Sequence, residues 1–192
     1  FLNTLPVSEI DPVDWSPGQL QGFEGMTIPS QVNYVGKGAN LYRSGYRFHG
    51  SAHVISRFLR NSWLWDRVRV QGGAYGAFCL FDRLSGTMTF VSYRDPNLLR
   101  TIDVFDQSAR FLRDMELSDD ELTKGVIGSI GDLDRRHMRE EILGTTAADF
   151  KAFARVLETV NVDGLVKILG SQDAILESLA KKPGWLNVLK VL

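Results

Sequence analysis

Across residues 51–93 the spacing of apolar residues changes from that of a helix to that of strands, and the change falls on a pair of glycines. Val54, Ile55, Phe58, Leu59 and Leu64 recur at steps of one helical face, with Trp63 and Trp65 nearby, so a helix is predicted over residues 51–68. Gly72 and Gly73 stop it. Two runs rich in aromatic and β-branched residues follow, 75–81 and 87–93, joined by Asp82-Arg83-Leu84-Ser85-Gly86, which reads as a β-hairpin. Helix, glycine turn and hairpin in that order exclude a purely helical bundle and break the strict alternation that builds a parallel doubly wound sheet.

The flanking segments fill out this frame. Residues 1–29 contain Pro6, Pro12, Pro17 and Pro29 with no sustained period and read as an extended leader from a preceding domain, whose Leu2, Leu5, Ile10, Trp15 and Phe23 would pack on a neighbour. Residues 31–36 alternate and then break at Gly36, which predicts a first strand. Beyond Pro96-Asn97, the stripe Leu98, Ile102, Phe105, Ala109 and Leu112 predicts a second helix. Ser118 with Glu121 forms a capping box that starts a third, carrying Leu122, Val126, Ile130 and Leu133, with Gly125, Gly128 and Gly131 allowing close packing. Thr146 caps a fourth with Phe150, Phe153 and Leu157. Residues 165–169 suit a last strand, and 172–182 a last helix stopped by Pro183-Gly184. The expected fold is α+β: an antiparallel or mixed sheet covered on one face by helices, with residues 30–192 as the folded domain.

Charge and length exclude several functions. The formal net charge is -1, and the arginines at 57, 60, 67 and 69 and at 135, 136 and 139 are interleaved with Asp66, Asp134, Glu140 and Glu141. These are read as solvated helix faces, without the basic excess of a nucleic-acid binder. No apolar run is long enough to cross a bilayer, so no membrane partner is expected. Cys79 is the single cysteine, which rules out an internal disulfide and fits a reducing compartment. The chain opens on Phe1 rather than methionine and reads as starting partway along a longer polypeptide.

Most reactive-looking residues lack their partners. His137-Met138-Arg139-Glu140-Glu141 resembles an inverted zinc-peptidase motif except that Glu141 stands where the second histidine belongs. His49 and His53 are four apart with no acid between them and are read as structural. Ser44 and Ser51 lack a nucleophile elbow, and Cys79 lies in an apolar strand where an inert thiol is expected. The glycines at 72, 73 and 76 lack the Lys-Ser/Thr ending of a phosphate loop. No catalytic residue and no metal ligand is therefore assigned to this chain.

Arg69 and Tyr75 remain, six residues apart across the glycine turn. The glycines let backbone approach a ligand, the guanidinium offers a planar fork of donors and the phenol a hydroxyl, so the pair suits the carbonyls or terminal carboxylate of a peptide. The competing reading is a tight helix-to-strand turn in which Arg69 forms a structural ion pair with Asp66 or another acid.

The run from Leu64 through Trp65-Asp66-Arg67-Val68-Arg69-Val70-Gln71-Gly72-Gly73-Ala74-Tyr75-Gly76, with Phe81-Asp82-Arg83 and Ser92-Tyr93-Arg94-Asp95-Pro96-Asn97, resembles the last domain of presequence proteases. These are pitrilysin-type zinc metallopeptidases, similar to falcilysin and insulin-degrading enzyme. The resemblance implies the fourth domain of a zinc metalloendopeptidase that degrades cleaved targeting presequences and other short unfolded peptides inside a chamber. It implies that Arg69 and Tyr75 are substrate-binding, that zinc is bound by an N-terminal domain absent here, and that this fragment alone is inactive. The implied partners are the zinc-binding N-terminal half of the same protein and unfolded peptides, and the implied location is the mitochondrial matrix or chloroplast stroma. The alternative is a non-catalytic peptide-binding or assembly module that uses the same groove.

Overall fold

The computed structural model describes residues 22–130 and 136–191, with the backbone only at positions 136 and 137. Strands β1 (Glu24–Thr27) and β2 (Asn33–Asn40) precede helix α1 (Ser51–Leu59), which runs without a break into a π-helix, Arg60–Val70. The hairpin follows as β3 (Gly76–Asp82) and β4 (Thr87–Asp95). Next come α2 (Leu99–Asp106), α3 (Ser108–Asp114), α4 (Asp119–Ser129), α5 (Arg136–Leu143) and α6 (Ala147–Asp163). Strand β5 (Leu165–Gly170), helix α7 (Gln172–Lys181) and strand β6 (Asn187–Lys190) complete the chain.

The strands form one mixed sheet in the order β3-β4-β2-β5-β1-β6. The first four are mutually antiparallel, whereas β1 runs parallel to both β5 and β6. The expected α+β sheet is present, with three differences. Residues 24–27, placed in the leader by their prolines and glycines, form a sheet strand, and residues 187–190 add a further one after 165–170. The stripe from Leu98 to Leu112 is interrupted at Gln107 and makes two helices. Of the residues named for the leader and third helix, Leu2, Leu5, Ile10, Trp15, Gly131 and Leu133 lie outside the described residues.

The caps form as their residue types predict. Ser118 and Glu121 exchange side-chain and backbone bonds at the start of α4, and Thr146 does the same with Asp149 at α6. Near Gly125 the closest atom a β-carbon would meet is Val54 Cγ1, at 3.6 Å, which brings α4 close to α1.

One sheet face is buried under helices. Val35, Ala39, Met88, Phe90, Val166 and Ile168 point into a core completed by Val54, Ile55 and Leu59 of α1, Phe105 of α2, and Phe150, Phe153 and Leu157 of α6. Phe90 stacks on Phe105 with ring centroids 5.4 Å apart. Lys37 also points inward and is almost wholly buried, but its ammonium pairs with Asp106 at the end of α2. Pairing is what makes a buried lysine tolerable, because an isolated charge there would lose its hydration without compensation. The opposite face carries Tyr34, Gly36, Gly38, Thr89, Val91, Tyr93 and Lys167, and remains half-exposed among the described residues.

Candidate peptide-binding site

The site is built where the π-helix ends. In a π-helix the backbone bonds span five residues and the turn widens, so side chains four apart lie roughly above one another. Thus the Arg67 guanidinium lies 5.1 Å from the Trp63 ring and that of Arg69 only 3.9 Å from the Trp65 ring. Trp63 turns inward, stacking on Phe111 at 4.8 Å and donating to Val104 O at 2.9 Å. Trp65 turns outward and is half-exposed, so it forms a platform for Arg69 at the surface.

The helix unwinds through successively irregular bonds: Gln71 N–H to Asp66 O, Gly73 N–H to Arg69 O, and Ala74 N–H to Val68 O. Both glycines are required. A β-carbon on residue 72 would sit 2.4 Å from Val68 O, and Gly73 has φ +79°, a conformation side chains disfavour.

This turn brings the two predicted residues together. Arg69 Nε donates to Tyr75 O at 3.1 Å. Its remaining N–H groups are held by no carboxylate among the described residues. Asp66 instead accepts from Gln71 Nε2 at 2.8 Å and lies 3.5 Å from Arg67 Nε, so the Arg69–Asp66 ion pair of the competing reading does not form. Tyr75 is 68% exposed, and its ring meets that of Tyr93 edge-on at 5.7 Å; Tyr93 in turn meets Tyr34 at 5.4 Å. Three tyrosines thus form a row across β2, β4 and the start of β3, on the half-exposed face.

A bulge in β4 anchors the row from behind. Asn33 pairs with Asp95 and Val35 with Ser92, so Tyr93 and Arg94 together oppose Tyr34. The extra residue resets the alternation and turns Asp95 inward, where it is fully buried. Its carboxylate accepts from Thr101 Oγ1 at 2.6 Å and from Asn97 N–H at 2.8 Å, and its carbonyl accepts from Asn33 Nδ2 at 3.0 Å. Asn97 Nδ2 then donates to Gly72 O at 2.6 Å, which ties the glycine turn to the bulge. Trp65, Tyr34, Tyr93, Asp95 and Asn97 carry no chemical signature of their own in the sequence. The clue available there is that the segments carrying the family resemblance, 64–76 and 92–97, run through Trp65, Tyr93, Asp95 and Asn97.

The other candidates have local roles. His49 Nδ1 lies 2.8 Å from Ser51 Oγ and accepts Ser51 N–H, which ends the loop before α1; Ser51 is buried and His49 exposed. His53 rests edge-on against Phe48. Glu141 accepts Gly50 N–H at 2.7 Å, Glu140 is exposed, and the His137 side chain lies outside the described residues. Burial pushes the Cys79 thiol up, far from the range in which a reactive thiolate forms. Ser44 donates to Leu41 O. No three His, Cys, Asp or Glu residues cluster as a metal site among the described residues, and no helix among them is long and apolar enough to cross a membrane.

Comparison with known proteins agrees with this architecture. The chain is 42% identical over its whole length to presequence protease 1, chloroplastic/mitochondrial, of Arabidopsis thaliana, and spans 20% of that protein. It is 28% identical over 94% of its length to the mitochondrial presequence protease of Emericella nidulans, spanning 19% of it. The chain thus covers about a fifth of these curated relatives. The crystal structure of pitrilysin superposes on 88% of the chain and 22% of its own, with a TM-score of 0.52 at 16% identity, a likeness of fold alone. The family model described as the PreP C-terminal domain matches residues 23–138, which include the π-helix, glycine turn, hairpin and bulge, and the chain belongs to that family.

Proposed function

We propose that this chain is the substrate-binding, chamber-forming C-terminal part of a zinc metalloendopeptidase that degrades cleaved targeting presequences and other short unfolded peptides. Family membership and the protease names of the two relatives support the reaction class. The observation that carries the site is the outward-held pair of Arg69 and Tyr75: a guanidinium braced by Trp65 with donors to spare, joined through one hydrogen bond to a residue whose phenol is exposed.

The chain's own residues bind and orient. Arg69 donates to carbonyl or carboxylate oxygens of a peptide, Tyr75 offers its hydroxyl beside them, and the half-exposed sheet face forms one wall of the chamber. Fixing the peptide in this way lowers the entropic part of the barrier to attack on its carbonyl. On this reading zinc is held by the N-terminal half of the protein, the partner against which this wall closes, as the family resemblance implies. The names of the relatives favour the mitochondrial matrix or chloroplast stroma.

The test uses the full-length protein. Arg69→Ala and Tyr75→Phe are expected to lower peptide turnover, Arg69→Ala by about tenfold or more, since a charge-assisted hydrogen bond contributes roughly 1.5–3 kcal/mol. Zinc content is expected to stay at the wild-type level in both. Wild-type kcat/KM in both variants would refute the role of the pair. Cleavage by residues 1–192 alone would refute the division of labour, and a full-length protein that captures peptides without cutting them would favour a binding module.

A further inference from the structure

The β4 bulge holds one residue in a conformation that its side chain does not favour. Arg94 has φ 49°, the sole non-glycine residue with positive φ among the described residues. Glycine or asparagine meets the demands of such a position more cheaply than a long side chain does. The turn therefore explains the backbone conformation but not the arginine.

Nor does the interior explain it. The bulge turns Arg94 outward, where it is exposed, and its guanidinium lies over the Tyr93 ring at 5.6 Å. Among the described residues it has no carboxylate partner. An aromatic ring beneath a guanidinium limits its motion while leaving the in-plane N–H groups to reach a planar anion.

Arg94 also belongs to the same local framework as the predicted pair. Tyr75 N–H is directed at the carbonyls of Tyr93 and Arg94, at 3.1 and 3.4 Å, and Tyr75 O accepts from Arg69. Two arginines, each with its guanidinium near an aromatic ring and each lacking a carboxylate partner among the described residues, are thus tied to Tyr75, Arg69 by its side chain and Arg94 by its backbone carbonyl.

We infer that Arg94 is a second peptide-binding arginine at this site and that it takes a carboxylate of the bound peptide. This rests on the reading of Arg69 and Tyr75 as substrate contacts. The carboxylate comes either from the peptide's C-terminus or from an Asp or Glu side chain.

Arg94→Gly in the full-length protein separates binding from backbone strain, because glycine accepts the positive φ; Arg94→Asn serves the same purpose should the glycine variant not fold. The probes are one peptide with a free C-terminus and a single Glu, its C-terminal amide, its Glu→Gln form, and the form lacking both carboxylates. The melting temperature is expected to be unchanged or higher, with KM for the parent peptide raised about tenfold. That penalty is expected to vanish on whichever single-change peptide lacks the bound carboxylate. An unchanged KM on every peptide in a folded variant overturns the inference, as does an equal rise on the peptide lacking both carboxylates. With Arg69→Ala measured alongside, loss of turnover there and silence at Arg94 refutes this inference alone, whereas silence at both refutes the peptide-binding site itself.

Discussion

The two faces of the sheet do different work with the same strands. On the covered face of β4, Met88, Phe90 and Ser92 are buried, while the alternate residues Thr89, Val91 and Tyr93 are left partly open. On the covered side a charge is met by an ion-pair partner, as Lys37 is by Asp106, or by hydrogen bonds, as the Asp95 carboxylate is by Thr101 and Asn97. On the open face, Arg94 lies over the Tyr93 ring with no carboxylate partner among the described residues. Burial is concentrated on one side, and the proposed peptide contacts lie on the other.

This contrast is broken most sharply at Phe90. Phe90→Ala removes a fully buried ring stacked on Phe105 and is expected to lower unfolding free energy by about 3–5 kcal/mol in urea titrations. Asp106→Ala, which leaves the Lys37 ammonium buried without its partner, is expected to cost about 3 kcal/mol, whereas Lys37→Met should be near neutral by the same titration. An equal loss for those two substitutions would mean that the pair contributes attraction beyond its own desolvation.

Across the sheet, Tyr93→Ala deletes two edge-to-face contacts at a half-exposed position and is expected to cost only about 1–2 kcal/mol, with a larger effect on peptide KM than on melting temperature. The reverse ranking would erase the distinction between the faces.

The smallest effect is expected from pH, and it belongs to the covered side. Tyr46 packs between Phe81 and Phe153, and burial pushes its phenol up from 10.0 to about 12. The unfolded chain therefore gives up this proton first: the contribution to stability is complete below pH 10 and is lost as the pH rises to about 12. Tyr46→Phe should flatten that alkaline decline in melting temperature.

Much of the fold is legible in local pattern. The hairpin is announced by two alternating runs around Ser85-Gly86, the starts of α4 and α6 by capping residues, and the end of the long helix by Gly72 and Gly73. The edge strands β1 and β6 are not. Each has four residues, and β6 is exposed along its whole length, so neither carries enough apolar alternation to be distinguished from loop. The pairing of β1 with β5 and of β6 with β1 is decided by contacts remote in sequence.

The site divides in the same way. Arg69 and Tyr75 stand out as a donor fork and a phenol separated by a glycine turn, and both are found together. Their supports at Trp65, Asp95 and Asn97 are unremarkable by type. Asp95 in particular faces inward because of the single extra residue in β4, and a period-two reading of that strand would turn it to the open face.

The sequence by itself determined the hairpin, the starts of α4 and α6 and the end of the long helix, because caps, glycines and apolar periods act within a few residues. It also placed the guanidinium and the phenol on either side of one turn. Only the tertiary structure decided which sheet face stays open, how the bulge turns Asp95 in and Arg94 out, and which groups hold the turn. Those outcomes depend on strand register and on hydrogen bonds such as Asn97 to Gly72, between residues far apart in the chain.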